Sequence, residues 1–380
     1  MVNVSDQAIV QIRAVTTPQE MEWFLDVPAI VYANDPNWVP PIRSSIAKQL
    51  SPDNPFHQYG RFKAFLAIAP GSNQAVGRIV AAVNDRLIER EQRSVGLVGY
   101  FECIDDFTVA QALLQAACDW LREQGMTLAR GPIDLSTHNN CLFLVDGFDS
   151  PPYVMMPYNP PYYPTFIEQD GWHKAKDAYA YDFDTRKPLP EEFEKGYRVA
   201  LKSGITFRPV RTKGSGFEED CISIYNLFTR AFANNWSSTP RTQAEFLEEA
   251  QDLKTLVDPA IFPIAEDNGE MVGFFMGLPD YNIALKHIGG KLNWLGILKF
   301  LWYRRQIDRA RMIAVCSLPE YRRKMVPLAL IYLAMQGGTR SYPKAELSWV
   351  FEDNYPSRKV TEASGGTIYK TYRIYEKSLV

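Results

Sequence analysis

Residues 168–181 read EQDGWHKAKDAYAY, and residues 362–375 read EASGGTIYKTYRIY. Glu168, Gly171, Lys176 and Tyr181 of the first stretch return as Glu362, Gly365, Lys370 and Tyr375, each 194 positions on. An E-x-x-G ending followed by an alternating run predicts, twice, a helix that stops at glycine and the strand that follows it. The spacing holds further out. Asn159 and Asn354 are 195 apart, Gly77 of AVGRIV and Gly273 of MVGFFM are 196 apart, and Arg13 of VQIRAV and Arg208 of ITFRPV are 195 apart. One pattern kept in register beside three further anchors predicts two copies of a single fold. The domains are expected at 1–186 and 205–380. Residues 187–204, dense in charge and containing proline, are expected to link them.

The copies share their coarse pattern. In the first, an extended segment (10–17) leads into helical periodicity (18–50), then the strand-like stretches RFKAFLAIAP, QAVGRIVAAVND and SVGLVGYFECID. DFTVAQALLQAACDWLREQG opens on an Asp N-cap, places Val109, Leu113, Ala116, Ala117 and Trp120 at helical spacing and stops at Gly125. A strand in TLARGPIDL, a helix around YYPTFIEQDG and a strand in WHKAKDAYAYDF complete it. The second copy is expected as strand 205–211, helices 220–234 and 241–257, strands 262–267 and 271–279, an insertion, strand 311–318, helix 326–341, strand 344–351, helix 355–364 and strand 367–377.

Composition narrows the function. Of 380 residues 46% are hydrophobic and 22% charged, the profile of a packed globular protein. Lys plus Arg number 41 against 44 Asp plus Glu, so the chain lacks the basic excess of a general nucleic-acid binder. The first residues carry no basic flank and apolar run of signal-peptide type, and the five cysteines are scattered, so a cytoplasmic protein is expected. No two of the four histidines stand at i, i+4, and no metal is expected.

The element order, with VCSLPEYR before a helix and E-x-x-G closing the last one, resembles the GNAT N-acetyltransferase superfamily, and the duplication resembles its tandem members. The resemblance implies an α/β fold of two tandem GNAT-like domains, each a mixed central sheet flanked by helices. It implies transfer of an acyl group from acetyl-CoA or acyl-CoA to a small-molecule or peptide amine. It also implies a loop of form [QR]-x-x-G-x-[GA] whose backbone cradles the CoA pyrophosphate. VCSLPEYRRKMVPLAL (315–330) occupies that place in the second copy, with Met325 and Pro327 at the glycine positions. The implied CoA contacts are Cys316, Ser317, Leu318, Arg322, Arg323, Lys324, Val326 and Asn354. The first copy has Glu102, Asp105 and Asp106 there, which favour the helix dipole and repel phosphate, so no CoA site is expected in it. Where the superfamily carries a tyrosine as general acid, the copies have Thr361 and Ile167.

A base must take the amine's proton, and Asp280 and Glu352, just past strand ends, are the candidates. The long connection 135–163 and nearby loops offer Ser136, Asn139, Asn140, Asp146, Tyr158, Asn159, Tyr163 and Tyr281 as a substrate lining, or as interdomain packing. The insertion 284–309 is too short to cross a membrane. It is expected to be buried at a domain or homodimer interface, with a lid over an acyl chain or an interfacial anchor as the other readings. The alternative for the whole chain is a ligand-binding or scaffolding protein that has lost the chemistry. Aminoacyl transfer from tRNA is disfavoured by the acidic balance.

Overall fold

The computed structural model describes residues 10–231 and 236–380, so the end of the helix expected at 220–234 lies outside the described residues. The first copy runs β1 (Gln11–Ala14), α1 (Pro18–Val31), α2 (Arg43–Gln49), β2 (Gly60–Ile68), β3 (Ala75–Asn84), α3 (Asp85–Glu91), β4 (Val95–Cys103), α4 (Phe107–Glu123), β5 (Leu128–Gly131), β6 (Phe143–Asp146), α5 (Tyr162–Gln169) and β7 (His173–Asp184). Next comes α6 (Glu191–Lys202). The second copy runs β8 (Thr206–Pro209), α7 (Gly214–Ala231), α8 (Gln243–Leu253), β9 (Pro263–Asp267), β10 (Glu270–Pro279), α9 (Asn282–Ile288), α10 (Trp294–Tyr303), β11 (Arg309–Ser317), α11 (Val326–Gly338), β12 (Lys344–Phe351), α12 (Tyr355–Ala363) and β13 (Thr367–Ser378).

All these strands share one sheet in the order β1-β2-β3-β4-β5-β13-β7-β12-β11-β10-β9-β8, with β6 against β13. The order is a palindrome in which every first-copy strand except β6 has its second-copy counterpart at the mirrored place. The last strands, however, are exchanged. β13, the end of the second copy, pairs with β5 of the first, and β7 of the first pairs with β12 of the second. These two strands also pair with each other, from Thr367 opposite Asp182 to Glu376 opposite His173. Each sequence half thus places its final strand in the other half's part of the sheet.

Helices cover both faces. α1 places Phe24 and Val27 on one side of the first half, while α4 places Val109, Leu113, Ala117 and Leu121 on the other. α4 starts at Asp106, whose carboxylate accepts the Thr108 N–H at 2.8 Å. Gly77 and Gly273 recur because a helix crosses each third strand closely. A Cβ on Gly77 would lie 2.7 Å from Leu113 Cδ1 of α4, and one on Gly273 would lie 3.0 Å from Val326 Cγ1 of α11.

The stretch expected as a linker is largely helical. Its charges form the solvent side of α6, while Phe193, Gly196 and Ala200 recur at helical spacing and are buried. A Cβ on Gly196 would stand 3.0 Å from Leu328 Cβ, so α6 packs directly on α11. The connection 135–163 contains β6, and it crosses to the second copy: Asn282 Nδ2 donates to the Pro152 carbonyl at 3.0 Å. The insertion 284–309 divides in two. α9 buries Asn282, Ala284 and Ile288, whereas α10 buries only Gly296 within the chain.

Candidate active site at the seam of the two halves

β4 and β11 each carry one extra residue against the preceding strand. Arg78 faces Glu102 and Val80 faces Gly99 in the first copy; Met276 faces Ala314 and Gly277 faces Met312 in the second. Such a bulge bends its strand. The parallel pairing with the next strand stops accordingly, after Leu97–Arg130 in the first copy and after Met312–Leu347 in the second. A wedge opens beyond each stop.

The first wedge is filled. Tyr163 and Phe143 pack on Phe101 with ring centroids 4.9 and 6.1 Å away. The Tyr163 hydroxyl accepts the Cys103 N–H at 2.8 Å and donates to Glu102 Oε2 at 2.8 Å, so it takes the amide at the end of β4 for the protein itself. Beside it, Asp134 Oδ1 accepts the Tyr100 N–H at 2.6 Å, and burial pushes the Asp134 carboxyl up to about 7.

The second wedge differs at the same places. The position 194 after Tyr163 is Ser357, a short exposed side chain in the first turn of α12. Only a short turn joins β12 to α12, so β6 and its Phe143 have no counterpart there. Ile313, Ala314 and Val315 along β11 are half-buried, whereas Val98 to Phe101 of β4 are buried.

At the far end of β11 the chain turns through residues 318–325 into α11. Met325, at a position where the superfamily has glycine, holds φ of 59°, the left-handed conformation that glycine adopts without strain. The first internal bond of α11 runs from the Ala329 N–H to the Met325 carbonyl at 3.0 Å, which leaves the Val326 and Leu328 amides in the open first turn. Pro327 adds no N–H but suits the start of a helix. Arg322 and Arg323 are exposed, while Lys324 is held to Asp267 at 2.9 Å.

A buried polar cluster lies where the second wedge begins. Arg311 and Glu346 face each other across β11 and β12, both nearly inaccessible to solvent. Arg311 Nε donates to Ser348 Oγ at 2.8 Å, and Ser348 Oγ donates to Glu346 Oε1 at 2.5 Å. Tyr369 of β13 also donates to Glu346. Arg311 Nη1 donates to the Val154 and Met155 carbonyls, both at 3.0 Å, so the first copy's long connection caps the cluster. Lys370 donates to the Ser150 carbonyl at 2.7 Å, and burial brings its ammonium down to about 8. The Tyr372 hydroxyl is buried with no partner among the described residues.

Asp280 belongs to this cluster. Its Oδ2 lies 2.6 Å from Arg309 Nε, and its Oδ1 accepts the N–H of Val154 at 2.7 Å and of Asn282 at 3.2 Å. Burial pushes its carboxyl up to about 6 against the pull of Arg309.

The chain is 34% identical over 388 residues to the bacterial ceramide synthase of Caulobacter vibrioides, with 99% of each chain covered. It is 30% identical over 375 residues to protein YghO of Escherichia coli, covering 97% of this chain and 95% of that one. The chain belongs to their family, on the tandem GNAT fold. A tandem GNAT protein from the clavulanic acid biosynthesis pathway matches with a TM-score of 0.58 at 14% identity, covering 98% of this chain and 99% of that one. A GCN5-related N-acetyltransferase from Sphaerobacter thermophilus matches with a TM-score of 0.52 at 15% identity, covering 97% and 96%. No family model matches the chain.

In this tandem GNAT protein the residues singled out from sequence fall into separate places. Cys316 is buried, its thiol pushed up to about 12 by burial, which makes it a packed residue and not a ready nucleophile. Ser317 and Val326 are buried; the Leu318 N–H donates to the Val272 carbonyl at 3.1 Å. Asn354 caps α12, its Oδ1 accepting the Ser357 N–H at 3.4 Å. Thr361 is buried and donates to the Ser357 carbonyl at 2.9 Å. Glu352 lies away from Asp280, accepting from Lys174 at 2.7 Å and from the Asp177 N–H at 3.1 Å.

The residues considered for substrate do not converge. The Ser136 hydroxyl accepts the His138 N–H at 3.1 Å, Asn139 Nδ2 donates to the Asp134 carbonyl at 2.7 Å, and Asn140 beside it is exposed. Asn159 brackets Leu144, accepting its N–H at 2.6 Å and donating to its carbonyl at 3.1 Å. Tyr158 donates to Asp35 at 2.8 Å, Tyr163 fills the first wedge, and Asp146 is exposed. Tyr281 donates to the Leu256 carbonyl at 3.0 Å. Sequence reasoning missed Arg311, Glu346 and Ser348. The signal was present as R-x-R in 309–311 and E-x-S in 346–348, polar residues two apart in otherwise apolar strands.

Proposed function

We propose that this protein transfers a fatty acyl group from acyl-CoA to the primary amine of a long-chain amino alcohol, forming an amide of the ceramide type. The observation that carries this is the difference between the wedges: the first is plugged by Tyr163, while the second has Ser357 at that place and lies between the Arg322–Met325 turn and a buried polar cluster. The name of the Caulobacter relative supports the substrate class. The thioester supplies an activated acyl group with a thiolate as leaving group. Arg322, Arg323 and the first-turn amides of α11 suit its phosphates, with the left-handed Met325 keeping the turn that glycine gives elsewhere.

Asp280 fits the base better than Glu352, because it stands in the buried cluster where the second wedge begins with its carboxyl raised to about 6, whereas Glu352 lies away from that cluster beside Lys174 and Asp177. The amine gives its proton to Asp280 as the C–N bond forms and the C–S bond breaks. The thiolate then takes a proton from water, since Thr361 offers no phenol. The Tyr372 hydroxyl, buried and unpartnered among the described residues, suits a hydroxyl of the amino alcohol. Purified protein with palmitoyl-CoA and a long-chain aminodiol should release free thiol and yield the amide by mass spectrometry. Thiol release at the buffer rate across acyl chain lengths and amines would leave only the scaffold alternative.

A further inference from the structure

α10 is built unlike the other helices. Asn293 caps it, its Oδ1 accepting the Gly296 N–H at 2.8 Å, and the helix that follows reads WLGILKFLWY. Only Gly296 is buried, and Phe300 stacks on Tyr281 with centroids 5.7 Å apart. Among the described residues, seven of the fifteen exposed large apolar side chains fall within residues 292–302. Trp294 is 70% exposed and Trp302 64%. An apolar surface of this density on the outward side of one helix calls for a covering partner.

The charge says which partner. Residues 282–307 contain Lys286, Lys291, Lys299, Arg304 and Arg305 and no Asp or Glu, in a chain whose net charge is -3. The described residues contain no helix long and apolar enough to cross a membrane. A short helix that is apolar around most of its girth, carries tryptophan at both ends and is flanked by cations has the chemistry of an interfacial element.

We propose that α10 docks this protein flat on an anionic phospholipid bilayer, with Trp294, Leu298, Leu301 and Trp302 in the acyl–headgroup boundary and the flanking cations on lipid phosphates. The docking rests on the surface of α10 and stands apart from the acyl-transfer reading. If both hold, they fit together: Tyr281, on which α10 leans, follows Asp280 directly, so docking brings the seam to the membrane from which a lipid amine would come.

Vesicle co-sedimentation of the full chain tests this, with phosphatidylcholine alone and with added phosphatidylglycerol. Binding to anionic vesicles is expected at least about tenfold above neutral ones, falling as salt is raised. Trp294→Ser with Trp302→Ser should lower it about tenfold or more. Lys299→Gln, Arg304→Gln and Arg305→Gln should each lower it by about fivefold. The replaced tryptophans are largely solvent-exposed, and unchanged thermal melts would show that the fold is kept. Binding of the tryptophan variant equal to that of wild type, or no binding of wild type, overturns the proposal. A wild-type dimer in light scattering that the tryptophan pair breaks, with no vesicle binding, overturns it in favour of a second copy. Vesicle binding without acyl transfer leaves the docking standing and removes the reaction.

Discussion

Tyr375 donates its hydroxyl to Glu168 at 2.9 Å, and the repeat-related pair matches it, Tyr181 donating to Glu362 at 3.3 Å. Both bonds run between the copies. The Glu and the Tyr of the repeated pattern therefore meet across the duplication and not within a copy, because each last strand has crossed over.

The exchange makes the halves interdependent. Residues 205–380 expressed alone lack β7 beside β12 and should be unfolded or self-associated by circular dichroism and light scattering, while co-expression with residues 1–186 should restore a stable complex. Tyr375→Phe should cost about 1 kcal/mol in urea unfolding. A monomeric, cooperatively folded C-terminal half would contradict the exchange.

The contrast between the wedges is directly testable. Ser357→Tyr copies the first-copy plug into an exposed position and should abolish CoA binding in calorimetry with little change in melting temperature. Arg322→Ala with Arg323→Ala should weaken binding by about tenfold or more, the loss of charge-assisted contacts to phosphate. Unchanged affinity in both variants would move the cofactor elsewhere.

As the proposed base, Asp280 must be ionised to accept a proton, so activity should climb as pH rises through about 6 and level off above it. Asp280→Asn should lower kcat by about a hundredfold or more. Glu352→Gln should leave the shape of the profile unchanged. An acid limb that survives in Asp280→Asn would assign the base to another group.

Asp134 gives a stability signature of its own. Its folded carboxyl is raised to about 7 from an ordinary value of 3.8, so the folded state binds the proton more tightly than the unfolded one. The stability it contributes is fully present below about pH 4 and is lost as pH rises through about 7. Asp134→Asn keeps an acceptor for Tyr100 and should gain on wild type between pH 5 and pH 8 by on the order of 2–4 kcal/mol, read from urea unfolding at the two pH values. Parallel pH profiles would deny the shift.

Arg311 and Glu346 should behave as a coupled unit. Arg311→Met or Glu346→Gln alone leaves a buried partner uncompensated and should cost about 3 kcal/mol or more, while the double variant should cost clearly less than the sum. Additive losses would show that Ser348 and the carbonyls of Val154 and Met155 satisfy Arg311 without the carboxylate.

The sequence by itself determined the local elements and their duplication. Hydrophobic period marks helix from strand within a few residues, and Gly171 and Gly365, at φ of 83° and 96°, end their helices in the left-handed turn that the E-x-x-G pattern implies. It also pointed to the loop before α11, since cations and a helix start are local features. Between the copies, in 187–204, charge on the solvent face of α6 masked the helical stripe of Phe193, Gly196 and Ala200 that the structure buries. Only the tertiary structure decided that β7 and β13 change places, because either pairing satisfies the same alternating strands and the choice rests on contacts between residues far apart in the chain, such as Tyr375 with Glu168. It alone decided that Tyr163 closes one wedge while Ser357, at the related place in the other, stays exposed, and that Arg311, Glu346, Asp280 and Val154 meet at one seam. Burial and partnership are properties of the assembled sheet, and no single strand carries them.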